Sequence, residues 1–218
     1  MDKGKLIVID GIDGSGKTTQ IELLGKYLTE KSIPYEVINF PRYGQNLYAD
    51  LVTRYLEGEF GNINEVNPYL MACIFAGDRL LAKSLIENWL AEGKIVIANR
   101  YVSSSKAHLG ANLPEEGREN FMGWIDELEY QTNGMPKPNL NILLKVTPEI
   151  GQQNALKDQK TDIHEKSLKH EQKASEIYLD LSKTEENWVV VDCMENETMK
   201  SEEAINKEII QILSSNRL

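Results

Sequence analysis

A glycine-rich segment near the amino terminus has the residue types and spacing of a phosphate-binding loop. Residues 11–18, GIDGSGKT, fit the pattern G-x-x-x-x-G-K-[ST]. Glycines let successive backbone N–H groups point at a phosphate, and the helix that follows adds its positive dipole end. In such a loop Lys17 reaches the β- and γ-phosphates, and the Thr18 hydroxyl binds Mg²⁺. The segment therefore predicts an ATP–Mg²⁺ site built from Gly11, Ile12, Asp13, Gly14, Ser15, Gly16, Lys17, Thr18 and Thr19.

Kinases, GTPases and ATPases all use phosphate loops, so other features must choose among them. The N-K-x-D segment with which a GTPase reads its base is missing from the sequence. A mechanical ATPase needs an acid after an apolar strand, but the corresponding strand here ends in Asn99. These two observations favour a small-molecule kinase.

Three arginines could bind the phosphate of an acceptor. Arg42 and Arg100 follow predicted strands, and Arg79 lies in a long predicted helix. A guanidinium binds a phosphate through two parallel hydrogen bonds, which suits a nucleoside monophosphate with about two negative charges. Phe75 precedes Arg79 by four residues, so both project from one face of the helix, where a base could stack on the ring.

The elements that must position these residues alternate along the chain. Short apolar runs predict strands at 5–10, 35–40, 95–98, 140–146 and 188–192. Apolar residues at helical spacing predict helices at 17–29, 46–56, 68–90 and 202–213, and 148–183 is a very polar helical stretch. The alternation predicts one α/β domain over residues 1–218, a five-stranded parallel sheet with helices on both faces and a helical lid at about 151–166. Ligands bind such sheets at the carboxyl ends of the strands, where the candidate residues lie.

Composition limits the classes of partner. The 218 residues carry a net charge of −10, which argues against general nucleic-acid binding, whereas a few arginines in one cleft can still attract an anionic nucleotide. Cys73 and Cys193 both lie in apolar segments, so we expect two buried free thiols. The sequence shows no export segment and no apolar run of membrane-spanning length, and we expect a cytoplasmic protein.

With these residues placed, the chain resembles the thymidylate kinase family over nearly its whole length. The resemblance rests on FPR at 40–42, FAGDR at 75–79, NRY at 99–101 with Ser104 and His108 after it, and VTPE before the polar stretch. It implies phosphorylation of dTMP by ATP–Mg²⁺ for DNA synthesis, a P-loop kinase fold and a homodimer.

The resemblance also assigns roles to acceptor-side residues. It implies that Phe75 lies against thymine, that Arg79 binds a base carbonyl and that Arg42 and Arg100 bind the acceptor phosphate. Asp13 would hold the deoxyribose 3′-hydroxyl, and Phe40, Pro41, Ser104 and His108 would line the acceptor pocket. Tyr101 is our candidate for the bulky side chain that excludes ribose.

Phosphoryl transfer to an anionic acceptor needs alignment and charge neutralisation, which we assign to Lys17, Arg100 and Mg²⁺. Two departures from the family pattern affect this assignment. Asn99 stands where many relatives have Asp, so we expect Asp10 or Asp13 to compensate at the metal through water. Relatives also supply an arginine from the loop or the lid, whereas here the loop has Gly14 and the lid has no arginine, so we expect Lys157 or Lys160 to substitute.

Two alternatives remain at this stage. The acceptor could be another nucleoside monophosphate or a deoxynucleoside. Without the lid arginine, the chain could also be a non-catalytic ATP-binding protein derived from such a kinase.

Overall fold

Five parallel strands form the central sheet, in a computed structural model that describes residues 3–63, 65–156 and 167–216. The sheet order is β2-β3-β1-β4-β5, and every neighbouring pair is parallel. The carboxyl ends of β1, β3 and β2 therefore lie side by side, as the predicted site requires. The strands are β1 (Lys5–Asp10), β2 (Tyr35–Asn39), β3 (Ile95–Asn99), β4 (Leu140–Lys145) and β5 (Trp188–Asp192).

Helices connect and cover the strands. In the described residues these are α1 (Lys17–Glu30), α2 (Leu47–Leu56), α3 (Pro68–Ala91), α4 (Val102–Gly110), α5 (Glu115–Asp126), α6 (Pro148–Ala155), α7 (Leu168–Thr184) and α8 (Glu202–Ser215). A π-helical segment, Glu127–Thr132, continues α5, and two short strands, β6 (Met194–Glu195) and β7 (Thr198–Met199), pair antiparallel.

The core lies on both faces of the sheet because its central strand is apolar throughout. Side chains of a strand alternate between faces. Ile7 and Ile9 accordingly pack into one apolar cluster with α1, α7 and α8, and Leu6 and Val8 pack into a second cluster with α3 and α5. All four side chains are fully buried. Each such burial stabilises the fold by about 1.5–3 kcal/mol.

The predicted strands and four of the predicted helical segments are confirmed with small shifts of their ends. The polar stretch 148–183 separates into α6 and α7, and residues 157–166 of the predicted lid lie outside the described residues. The sequence analysis did not predict α4, α5, the π-helical segment or the β6–β7 pair.

Helix α4 follows β3 directly and is buried on every side. All nine of its residues are buried, including three consecutive serines, a lysine and a histidine. A buried polar side chain is costly unless it is hydrogen-bonded, and these side chains have partners in several elements. Lys106, for example, donates to Asp126 at 2.8 Å and to Glu185 at 2.6 Å. Helix α4 therefore joins the site to α5 and α7.

The expectation of two buried thiols is wrong for one of them. Cys193 is buried, and burial raises the pKa of its thiol to about 12. Cys73 is exposed, because its apolar segment forms part of α3 and Cys73 occupies the solvent side of that helix. None of the described helices is long and apolar enough to cross a membrane.

Candidate active site

Two adjoining cavities lie at the carboxyl ends of β1, β2 and β3. The larger is a cleft of about 1070 Å³, lined by the phosphate loop, the residues after β2, the ends of β3 and α6, and the start of α8. The smaller is a pocket of about 80 Å³ between α3 and α4. Asp13, Phe40, Pro41, Tyr43 and Arg100 line both cavities, so a ligand in one is next to a ligand in the other.

The phosphate loop takes the conformation that its glycines allow. Gly11, Gly14 and Gly16 have φ of 147°, 69° and 86°, where other residues are strained. Helix α1 begins at Lys17, so its first N–H groups face the cleft. Thr18 is exposed in the cleft, beside Thr19.

The ammonium group of Lys17 is held by the loop itself. Its Nζ donates to the carbonyl oxygens of Gly11 and Ile12 at 3.0 and 2.7 Å and to the Ser15 hydroxyl at 3.4 Å. Burial, followed by the nearby guanidinium of Arg100, lowers the pKa of Lys17 to about 8. The oxygens that accept these hydrogen bonds are neutral, and a triphosphate bound in the cleft would give the ammonium group an anionic partner.

Helix α6 approaches the loop so closely that it excludes a side chain at Gly14. A Cβ at this position would lie 2.0 Å from the Gly151 carbonyl oxygen, and a Cβ at Gly151 would lie 2.7 Å from the Asp13 carbonyl oxygen. The Asn154 side chain also donates to the Gly14 carbonyl oxygen at 3.2 Å. This backbone arrangement has no room for an arginine at position 14.

Arg100 links the loop to α4 and α7. Its guanidinium pairs with the Asp13 carboxylate and donates through Nη1 to the Gly11 carbonyl oxygen at 3.2 Å. The same Nη1 contacts the Ser104 hydroxyl at 2.9 Å and His108 Nε2 at 3.0 Å. Arg100 also has a φ of 64°, unusual for a residue other than glycine. Its charge therefore lies where the two cavities meet.

Arg42 is fixed by a carboxylate that the sequence analysis did not select. Its Nε donates to Asp78 at 2.9 Å, its Nη2 donates to the Asp78 carbonyl oxygen at 2.8 Å, and its backbone N–H donates to the same carboxylate. Asn46 donates to that carboxylate as well, at 2.7 Å. Arg42 lines the cleft, Arg79 lines the pocket and Arg100 lines both.

The pocket between α3 and α4 collects the residues predicted for a nucleoside. Its lining includes Phe40, Pro41, Phe75, Arg79, Arg100, Tyr101, Ser104 and His108. The Tyr101 hydroxyl points away toward the Pro136 carbonyl oxygen, to which it donates at 3.0 Å. Ligand pockets usually measure roughly 300–1000 Å³, so a nucleoside must extend toward the cleft or displace neighbouring side chains.

Arg79 is a buried charge with a dedicated partner. Its Nε and Nη2 donate to Glu129 Oε1 at 2.7 and 2.5 Å, and Nη2 also donates to the Ser105 hydroxyl at 2.8 Å. Arg79 and Glu129 are only 2% and 1% exposed. Glu129 lies in the π-helical segment, a conformation often found at functional sites.

Two acidic residues lie beneath the loop. Asp10 is fully buried and accepts hydrogen bonds from the hydroxyls of Ser103 and Tyr178. Glu171 accepts from the Asp13 backbone N–H at 3.3 Å, and burial, followed by the charge of Asp13, raises its pKa to about 8. Neither carboxyl group lines the cleft.

The structure thus brings the predicted residues together with several that were missed. Lys157 and Lys160 lie outside the described residues, and the contacts expected with ligands stay predictions. The missed residues are Asp78, Ser103, Ser105, Glu129, Glu171 and Tyr178. Asp78, Ser103 and Ser105 lie beside residues that had been selected, but Glu129, Glu171 and Tyr178 become neighbours of the site only through the fold.

Known proteins resemble this chain in sequence and in fold. The sequence model of the family described as thymidylate kinase matches residues 9–208. Thymidylate kinase from Symbiobacterium thermophilum is 33% identical, covering 95% of this chain and 91% of that protein. Thymidylate kinase from Mycobacterium tuberculosis (strain H37Rv) is 32% identical, with 81% and 85% covered. The solved thymidylate kinase from Candida albicans has the same fold, with a TM-score of 0.78 at 22% identity over 99% of this chain and 93% of that one.

The Arg79–Glu129 pair generates a stability prediction. Glu129→Ala leaves a buried guanidinium without its partner, which should lower the free energy of unfolding by about 3–5 kcal/mol in urea denaturation. Glu127→Ala is the matched control, because Glu127 is exposed in the same segment and should change stability by less than about 0.5 kcal/mol. Equal stabilities for the two variants would contradict the role assigned to the pair.

Proposed function

The chain belongs to the thymidylate kinase family and therefore phosphorylates dTMP with ATP as the donor, and we propose that the cleft binds the triphosphate and the adjoining pocket binds dTMP. The product, dTDP, is a precursor for DNA synthesis. Thymidylate kinases act in the cytoplasm, and we propose the same location for this chain.

The observation that carries this placement is the position of Arg100. Its guanidinium lines both cavities and lies beside the loop that holds Lys17. An acceptor phosphate at this point faces the γ-phosphate of a nucleotide bound to the loop. Asp13 now pairs with Arg100. We propose that the dTMP phosphate takes over this guanidinium and releases Asp13 to the 3′-hydroxyl.

The residues then act by alignment and charge neutralisation. The attacking oxygen of dTMP is already anionic, so the transfer needs no strong general base. Lys17 neutralises the donor phosphates, and Arg100 holds the acceptor phosphate against them. Arg42, held by Asp78, adds a guanidinium on the cleft side, and Phe75 with Arg79 orients the base. Fixing the two phosphates in line supplies much of the rate enhancement.

The loop fits a magnesium ion brought by ATP. Thr18 offers its hydroxyl in the cleft. Asn99 also lines the cleft, and its buried Oδ1 has no hydrogen-bond partner in the described part of the chain, so it can accept from a water of the metal. When bound, Mg²⁺ neutralises charge on the β- and γ-phosphates. Both carboxylate oxygens of Asp10 already accept hydrogen bonds, so any water-mediated help from Asp10 would have to share one of them.

The function is tested by ADP release with ATP–Mg²⁺ and a panel of acceptors. We expect fast turnover with dTMP, slower turnover with dUMP, and little with dCMP, dGMP, AMP, UMP or no acceptor. Arg100→Ala should lower kcat/KM for dTMP by about 10²–10³, because a charge-stabilising donor is lost. Arg54→Ala, which removes an exposed arginine paired with Glu59, is the control and should leave kcat/KM unchanged.

Two outcomes would contradict the proposal. ATP binding without acceptor-dependent turnover would instead favour a nucleotide-binding protein. Preferred turnover of another monophosphate would move the acceptor assignment away from dTMP.

We also propose that Lys157 or Lys160 supplies the cation that relatives take from a loop or lid arginine. The support is the close packing of α6 on the loop, which excludes a side chain at Gly14. Changing both lysines to Ala should lower kcat by about 10²-fold or more with little change in the KM for dTMP. The control is Lys169→Ala with Lys183→Ala, an equal charge change at exposed positions of α7. Equal kcat values for the two double variants would exclude the lysines from catalysis.

A homodimer is the expected assembly, and α3 offers a surface for it. Leu70 and Leu81 are 66% and 57% exposed on the side of α3 that also carries Cys73. We expect Leu81→Glu to shift the protein from dimer to monomer in sedimentation velocity, because it places a charge in an apolar interface. Leu156→Glu changes a similarly exposed leucine that follows α6 and should leave the dimer intact. A wild-type monomer, or a dimer that persists in Leu81→Glu, would remove α3 from the interface.

A further inference from the structure

A cluster of three buried ligand-type side chains lies between α4 and α7. His108 comes from α4, and His170 and Glu171 come from the first turn of α7. One potential ligand atom from each residue lies within 4.8 Å of the others. The two imidazole rings are stacked, with centroids 5.7 Å apart. The phosphoryl transfer described above uses neither His170 nor the Glu171 carboxylate.

We propose that His108, His170 and Glu171 form a binding site for a divalent transition-metal ion of the zinc type, separate from the magnesium that accompanies ATP. This inference does not depend on the proposed function, because it concerns metal binding by the protein alone.

The donor set selects the class of metal. Two imidazoles and one carboxylate are a ligand set that Zn²⁺ takes in proteins, whereas Mg²⁺ prefers oxygen ligands. Bond lengths of about 2.0–2.2 Å place tetrahedral ligand atoms roughly 3.4 Å apart. The present spacing therefore has to contract by up to roughly 1.4 Å, which small side-chain rotations can achieve. A water would complete the coordination shell.

A second polar residue orients one of the proposed ligands. Asn112 Oδ1 lies 3.1 Å from His170 Nδ1 and accepts its hydrogen bond. That bond places the proton on Nδ1 and the lone pair on Nε2, the tautomer that a metal needs. Metal-bound histidines commonly donate their other ring N–H to an oxygen in this way.

Glu171 supplies the negative charge of the site. Its Oε2 accepts from the Asp13 backbone, and its buried Oε1 has no hydrogen-bond partner in the described residues. A buried oxygen without a hydrogen-bond partner lowers the stability of the fold, and a bound metal ion would provide the missing partner.

The metal would also act on Arg100. His108 Nε2 now accepts from Arg100 at 3.0 Å. A metal bound to His108 Nε2 would replace the Arg100 donor. A metal bound to His108 Nδ1 would require a proton on Nε2, and that N–H would face the guanidinium. In both cases the hydrogen bond from Arg100 to His108 is lost. The positive charge of Arg100 opposes a nearby cation, but the carboxylates of Asp13 and Asp10 offset it. Metal occupancy is therefore coupled to the arginine that we place at the acceptor phosphate.

The test uses Co²⁺ as a spectroscopic probe on the full chain carrying Cys73→Ser, which removes the exposed thiol. We expect one equivalent of Co²⁺ with the visible absorption of a four- or five-coordinate site, an upward shift in Tm, bleaching by Zn²⁺ and no competition by excess Mg²⁺. His170→Gln and Glu171→Gln should each lose the absorption and the Tm shift. Glu176→Gln, an exposed carboxylate on the same helix, should retain both.

Two results would overturn the proposal. The first is the absence of stoichiometric Co²⁺ binding by the parent protein, which requires no folded variant. The second is absorption that persists in His170→Gln and Glu171→Gln, with circular dichroism showing that both variants are folded.

Discussion

A positive charge inside a protein must be paired, and the charge of Arg100 organises this site. Its guanidinium joins the phosphate loop through Asp13 and Gly11, α4 through Ser104 and His108, and α7 through Tyr178. Its backbone is held in the left-handed region, which costs about 1–3 kcal/mol and persists only where the surroundings determine it. Three elements distant in sequence are thus held against the end of β3.

Helix α4 carries further buried polar side chains into the core, and these also need partners. Each of its buried polar side chains has a partner on another element: Ser103 on β1, Ser105 on α3, and Lys106 on the residues that end α5 and follow α7. Such a network is stabilising when every member is satisfied and costly when one is lost. It also helps to place the pocket, because Ser104, Ser105 and His108 of α4 line it. The lining of the pocket and the packing of the core therefore depend on the same helix.

The sequence predicted the elements with strong local patterns and missed those with none. Strand β1 is an apolar run that leads into a loop with the glycine spacing of a phosphate-binding site, so the sequence predicted both the strand and its place beside the site. Helix α4 has no amphipathic period because it is buried all round, and its serines are poor helix formers. Glu129 and Glu171 look like ordinary helical acids, and only tertiary contacts reveal their burial beside Arg79 and Asp13. Cys73 was placed inside because an apolar segment was taken as buried on every side, although one side of α3 faces solvent.

The contact between Gly14 and Gly151 constrains how this sequence can change over time. A side chain at either glycine would clash with the backbone opposite it. Neither position can therefore acquire a side chain while the phosphate loop and α6 keep their present positions. An arginine at position 14 is therefore compatible only with a different position of α6. The effect of a substitution at either glycine thus depends on the backbone around the other. Chains that keep this packing are thus confined to glycine at both positions.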